Sequence, residues 1–173
     1  RIWQLFGSYP WAWIAKRDGD RDWQTEKRYP LKPRTLWKHW QDAAIQIDMR
    51  FGTLTEYCML DIDHGSEYLK PTTIGDLKGA LETIGLARAV TLRSSHSGGL
   101  HLYFPLPEAV RTFDLAVALK GCLKAHGFEI KPGQLETFPN VKTFARSWLG
   151  EFSEYQGHRL PLQPASGSVI LNE

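Results

Sequence analysis

Two aspartates placed two residues apart at the end of an apolar run are the first residues here suited to chemistry. Thr55-Glu56-Tyr57-Cys58-Met59-Leu60-Asp61-Ile62-Asp63 reads as a strand, ended by His64-Gly65-Ser66. Strand side chains alternate, so Asp61 and Asp63 project one way while Cys58, Leu60 and Ile62 project the other, into a core. Two carboxylates at one strand end repel unless a cation lies between them. Hard divalent ions such as Mg²⁺ take oxygen ligands of this kind, together with substrate phosphates. The plain alternative is a solvated strand end carrying two innocuous acids.

The second constellation is Arg93-Ser94-Ser95-His96-Ser97-Gly98-Gly99-Leu100-His101-Leu102-Tyr103-Phe104. Small residues and two glycines leave backbone N–H groups exposed in a turn, where they can cradle phosphate oxygens. In the strand that follows, Leu100, Leu102 and Phe104 face the core, which sends His101 and Tyr103 to the side of the acids. A histidine there donates to a phosphate without a permanent charge. The third element is Gly133-Gln134-Leu135-Glu136-Thr137-Phe138, with Glu136 at mid-strand, where acids are uncommon. Beside Asp61 and Asp63 it would complete a site for two metal ions ~3.5–4 Å apart. Otherwise it pairs with Lys131 or Lys142.

The elements that must position these residues alternate. A helix is predicted over 74–84, with Thr73 and Asp76 as a capping pair and Gly85 as its stop. Strands are predicted at 87–92 and 100–106, a second helix at 113–126 stopped by Gly127, and strands at 128–130 and 134–138. The class is therefore α+β, an antiparallel or mixed sheet with helices on one face in the split βαβ order of RRM-like domains. Ahead of it, residues 1–50 form a small N-terminal αβ unit: an aromatic strand at 11–16, a turn at Asp18-Gly19-Asp20, and a helix over 35–48 opened by Thr35. This unit packs on the core of residues 51–173 to give one structural domain.

Composition narrows the classes. The chain has 173 residues, 42% hydrophobic and 23% charged, with 21 Lys plus Arg against 19 Asp plus Glu. That excludes a disordered or collagenous chain and makes any basic surface a local one. No run approaches the ~20 apolar residues of a membrane span, and no basic-then-apolar leader opens the sequence. Cys58 and Cys122 read as two buried thiols in a reducing compartment. Six of the seven tryptophans lie in the first 40 residues. Trp37 and Trp40 are expected to pack the N-terminal unit. Trp23 sits in a charged segment without apolar periodicity, where Lys27, Arg28, Lys32 and Arg34 are expected to hold a phosphate backbone.

Taken together, Leu60-Asp61-Ile62-Asp63, Ser97-Gly98-Gly99-Leu100-His101 and Leu135-Glu136-Thr137 resemble the three motifs of the archaeo-eukaryotic primase superfamily, the primase-polymerases. The resemblance covers roughly residues 50–165. Gly157-His158-Arg159-Leu160-Pro161-Leu162 is similar to a basic segment of plasmid-borne and CRISPR-associated members. Glu136 stands where many members carry Asp, and no zinc-binding cysteine cluster is present, so no zinc is expected.

The resemblance implies template-directed nucleotidyl transfer by a DNA primase, a DNA polymerase or both, in replication or repair. Asp61, Asp63 and Glu136 would hold two Mg²⁺ or Mn²⁺ ions. Ser97, the Gly98-Gly99 backbone and His101 would bind the triphosphate, with Arg93 and Arg159 as further phosphate contacts. Partners would be single-stranded DNA template, primer and NTP or dNTP, in the cytoplasm at nucleoid or plasmid. The start at Arg1 leads us to expect a longer protein, with a helicase domain or other replication partner outside this chain. A metal-dependent nuclease explains the acids but gives the Ser-Gly-Gly-x-His turn no role. A non-catalytic RRM-like binder would place aromatics where the acids stand. A histidine-centred initiator nuclease would need a second histidine two residues beyond His101.

Overall fold

The computed structural model describes residues 6, 9–148 and 150–171. In chain order the elements are β1 (Tyr9–Arg17), β2 (Gln24–Glu26), α1 (Pro33–Trp40), β3 (Ile45–Arg50), β4 (Leu54–Ile62), α2 (Pro71–Glu82) and β5 (Val90–Arg93). There follow β6 (Leu100–Arg111), α3 (Thr112–Ala125), β7 (Leu135–Phe138), β8 (Val141–Ser147), β9 (Gly150–Tyr155), β10 (Gly157–Arg159) and β11 (Val169–Ile170). The protein is mixed α+β, and every strand pairing described is antiparallel. None of its helices is long and apolar enough to cross a membrane, among the described residues.

A five-stranded sheet, ordered β11-β5-β6-β4-β7, carries the three motifs. On one face Cys58, Leu60, Ile62, Leu102, Phe104 and Leu135 are buried against Leu77 and Leu81 of α2 and Leu115, Leu119 and Leu123 of α3. Each such side chain contributes about 1.5–3 kcal/mol through burial. Both helices therefore lie on that face, and the free thiols of Cys58 and Cys122 sit within this core.

The opposite face is not open along its length. Tyr57, Met59, Tyr103 and Phe138 join a second core with Trp13, Ala15, Leu36, Ile47 and Met49. Those residues come from α1 and a second sheet, ordered β10-β3-β1-β2. Its strand β10 returns from the far end of the chain, so the N-terminal unit is completed by residues 157–159. β8 and β9 form a separate two-stranded ribbon.

Four sequence expectations are corrected. The helix expected over 35–48 stops at Trp40, and Ile45–Arg50 is β3. Asp42 makes the break: its carboxylate accepts from Ala44 N–H and its carbonyl from Ile45 N–H. Neither Thr35 nor Thr73 caps a helix, because Pro33 and Pro71 sit in the first turns, behind Lys32 and Lys70. Phe128-Glu129-Ile130 is not a strand but a connection whose Phe128 and Ile130 lean on the helix-side core. Trp37 is 54% exposed and meets Trp40 edge-to-face rather than packing inward. Trp13 does pack the unit: it is fully buried and stacked on His39.

Candidate functional site

Register across the large sheet fixes the first part of the site. Asp61 on β4 is the partner of His101 on β6 and of Glu136 on β7. Partners in a sheet share a face, so Glu136, Asp61 and His101 form one row across three strands, on the face away from the helices. Asp63, one residue beyond β4, continues that face, its N–H donating to the Gln134 carbonyl at 3.2 Å. His101 is 5% exposed, and its Nε2 lies 3.4 Å from Asp61 Oδ1. Its Nδ1 is buried without a partner. Lys131, one of the two lysines offered as the alternative partner of Glu136, pairs with Glu129.

Asp61 and His101 of the row open into a cavity of about 200 Å³ between the two sheets, which Glu136 does not line. Asp61, Asp63 and His101 line it, with Ser94, Ser95 and Ser97 of the turn and Asp48, His158, Arg159 and Trp23 of the N-terminal sheet and its loops. Ser95 and Ser97 hydroxyls are 2.8 Å apart. Gly98 and Gly99 do not line the cavity. The Gly98 N–H donates to the Ser95 carbonyl, and the Gly99 carbonyl accepts from Ser94 N–H, so the Gly98 amide is engaged within the turn. Gly99 is fixed by contact, since a Cβ there would lie 2.8 Å from the Ile62 carbonyl oxygen.

Arg93 is not brought to the site. Its register partner is Leu100, which places it on the helix side, and its Nε donates to the Gly167 carbonyl at 3.1 Å. Arg159 is brought in, its guanidinium 5.5 Å from the centre of the Trp23 ring. Trp23 is thus half-buried at the cavity rather than free in solvent. Lys27, Arg28, Lys32 and Arg34 are exposed, with Arg28 engaged by Glu26.

Sequence reasoning missed Asp48, Ser94, Ser95 and His158 as site residues. Asp48 was hidden by the mistaken helix, although apolar residues at every second position of Ile45-Gln46-Ile47-Asp48-Met49 signal a strand. His158 donates to or accepts from the Tyr57 hydroxyl at 2.8 Å, and burial holds its pKa down to about 3.

The carboxylates suit a hard divalent cation by the chemistry of their donor atoms. Burial, then the charges of Asp61 and Asp63, raise Glu136 above the ordinary carboxylate range. Burial and Asp61 do the same to Asp63. A cation between them would relieve both. Among the described residues no three such side chains converge as a metal shell.

Asp48 carries a measurable cost of its own. Burial pushes its pKa up to about 7, with Arg159 pulling down and Asp61 adding to the rise. Between that value and the ordinary 3.8 the folded chain holds a proton the unfolded chain releases, so stability falls as pH rises through this window. Asp48→Asn removes the effect. The variant should exceed the wild type in stability at pH 7 and lose that advantage by up to about 1.4 kcal/mol per pH unit towards pH 4. Urea melts across that range measure it, and parallel pH profiles would show that Asp48 is solvated in the folded protein.

Comparison of the chain with protein-family models and with curated proteins finds no match.

Proposed function

We propose that the chain is a template-directed nucleotidyl transferase, a primase or DNA polymerase of the primase-polymerase kind. The observation that carries this reading is the Glu136–Asp61–His101 row across three strands, of which Asp61 and His101 share one cavity with Asp63 and the serine turn. The strand and helix order β4-α2-β5-β6-α3-β7, with β4 and β6 at the centre of the sheet, supports the RRM-like form of the α+β fold.

In this reading Asp61, Asp63 and Glu136 hold two Mg²⁺ or Mn²⁺ ions. Bound there, these would activate a primer 3′-hydroxyl and neutralise the leaving pyrophosphate. The side chains have distinct tasks. Ser95 and Ser97 offer hydroxyl donors to phosphate oxygens. His101 is oriented by Asp61 through Nε2, which leaves Nδ1 as its second polar atom. Met59 and Phe138 give the cavity an apolar part of its wall. Single-stranded template and primer would approach over the exposed basic stretch from Lys16 to Arg34, in a cytoplasmic, nucleoid or plasmid setting.

Incubation with single-stranded template, Mg²⁺ or Mn²⁺ and each nucleotide set, with and without primer, tests the reading. Labelled product longer than the primer, or new short strands without one, is expected. Shortening of labelled DNA in the absence of nucleotides would assign a nuclease instead. Binding without either change would leave a nucleic-acid-binding domain.

A further inference from the structure

Away from the cavity, β8 and β9 form a ribbon that has no third strand among the described residues. A lone hairpin is marginal in water without further strands or a packed face. β9 is held to the core, where Glu154 pairs with Arg50 and the buried Tyr155 ring meets Phe51 edge-on. β8 is the outer strand, exposed from Lys142 to Ser147. Its root is blunted by Lys142 and by a register shift between Val141 and Thr143, two devices that discourage edge pairing. Beyond the root, Thr143-Phe144-Ala145-Arg146-Ser147 carries neither a proline nor a bulge.

Large apolar side chains stand out from this ribbon. Trp148 at its tip is 92% exposed, Phe152 56% and Phe144 43%. Its charges cancel, Lys142 and Arg146 against Glu151 and Glu154, so it has no net attraction for a phosphate backbone. An exposed, apolar and neutral edge is a template for another strand.

The register selects the occupant. Two copies of one strand pair antiparallel about a two-fold axis, so the residue at the axis opposes itself. Centred on Phe144, the pairing sets Lys142 opposite Arg146. Centred on Arg146, it sets that guanidinium opposite itself. Both are like-charge pairs, which destabilise a sheet. Centred on Ala145, it sets Phe144 opposite Arg146 of the second copy, twice by symmetry, and Thr143 opposite Ser147. The cation–ring contact already exists within one chain, where the Arg146 guanidinium lies 5.9 Å from the Phe144 ring centre while bound to Glu151 at 2.7 Å. On the other face Ala145 is the register partner of Phe152. Across four strands that row would read Phe152, Ala145, Ala145, Phe152. Two small residues at the seam give the exposed rings room to lean inward and leave water.

We propose that β8 pairs with β8 of a second copy, antiparallel and centred on Ala145, joining two ribbons into one four-stranded sheet. The pairing is independent of the nucleotidyl-transfer reading. Phe138 and Gly157, which flank the ribbon in sequence, line the cavity, so such a dimer ties two cavities to one sheet.

Sedimentation equilibrium of the full chain, with site-directed cross-linking, tests it. The wild type should rise with concentration towards about 40 kDa, twice its 19.8 kDa. Arg146→Ala removes both cation–ring pairs and leaves the stack of Phe144 on Phe113, so it should weaken the dimer roughly five- to thirtyfold. A short bis-maleimide should join Ala145→Cys to itself but not Thr143→Cys, whose copies stand four residues, roughly 13 Å, apart along the seam. The wild type, with Cys58 and Cys122 buried, is the blank. A wild type of 19.8 kDa at every concentration overturns the proposal. So does a dimer in which Thr143→Cys cross-links as readily as Ala145→Cys, because its interface or register then lies elsewhere. A monomer whose affinity for single-stranded DNA falls in Trp148→Ala also overturns it and makes the ribbon a nucleic-acid arm.

Discussion

Asp61→Ala should lower template-directed synthesis by about a thousandfold or more, because the charge stabilisation lost at a metal-centred transition state is worth several kcal/mol and each 1.36 kcal/mol is a factor of ten. Asp63→Ala and Glu136→Ala should follow it. Asp61 stands at the centre of the row, with His101 on one side and Glu136 on the other, so its loss should be the most severe. The fold should survive. Burial and mutual repulsion already raise Glu136 and Asp63, so removing one like charge relieves the metal-free protein. The variant should therefore melt at the wild-type temperature or slightly above it without metal. Saturating Mg²⁺ or Mn²⁺, which adds about 2.7 kcal/mol at a hundred times Kd, should stabilise the wild type more than the variant. Near-normal synthesis by any one of the three would remove that residue from the proposed site.

How much of this arrangement the sequence revealed depended on where each residue's partner lies. The acids of β4 were legible because one strand's own alternation, Cys58, Leu60 and Ile62 against Asp61 and Asp63, assigns their faces. His101 and Glu136 followed from the same rule applied to β6 and β7. Arg93 was misassigned because its face depends on which residue of β6 it pairs with, and pairing with Leu100 turns it to the helices. The connection at 128–130 alternates like a strand but finds no neighbouring strand to complete its hydrogen bonds. β3 was the largest miss. Ala43, Ala44 and Ile47 happen to continue the helical spacing of α1, and the strand is stabilised by β1 on one side and by residues near the chain end on the other. Asp48, at the heart of the cavity, was invisible for that reason.

The long-range tie that holds β3 on its chain-end side also holds the site together, so Gln163→Leu should have a large structural effect. Gln163 is 3% exposed. Its Oε1 accepts from Ile47 N–H at 2.8 Å, and its Nε2 donates to the carbonyls of Ile47 and Leu160 at 3.0 and 2.9 Å. Leucine fills the space but leaves that Ile47 N–H buried and unpaired. The unmade bond alone costs about 1–3 kcal/mol, with about 0.5–1.5 kcal/mol for each further hydrogen bond lost. The loop it anchors has little reserve, since Leu162 and Ala165 hold left-handed φ angles of 59° and 58°, sparsely populated for residues with a Cβ. That same loop grips the serine turn: His96 N–H donates to the Ser166 carbonyl at 3.1 Å, and its ring Nε2 lies 3.1 Å from the Ala165 carbonyl oxygen. Hydrogen exchange should accordingly quicken in two places distant in sequence, residues 157–168 and the turn from Ser94 to Gly99, while the α2–α3 core keeps its protection. Exchange that quickens uniformly would mean that Gln163 supports the whole fold rather than this strap. No change at Ser94–Gly99 would show that the turn stands without it, and nucleotide affinity in the variant should then equal that of the wild type.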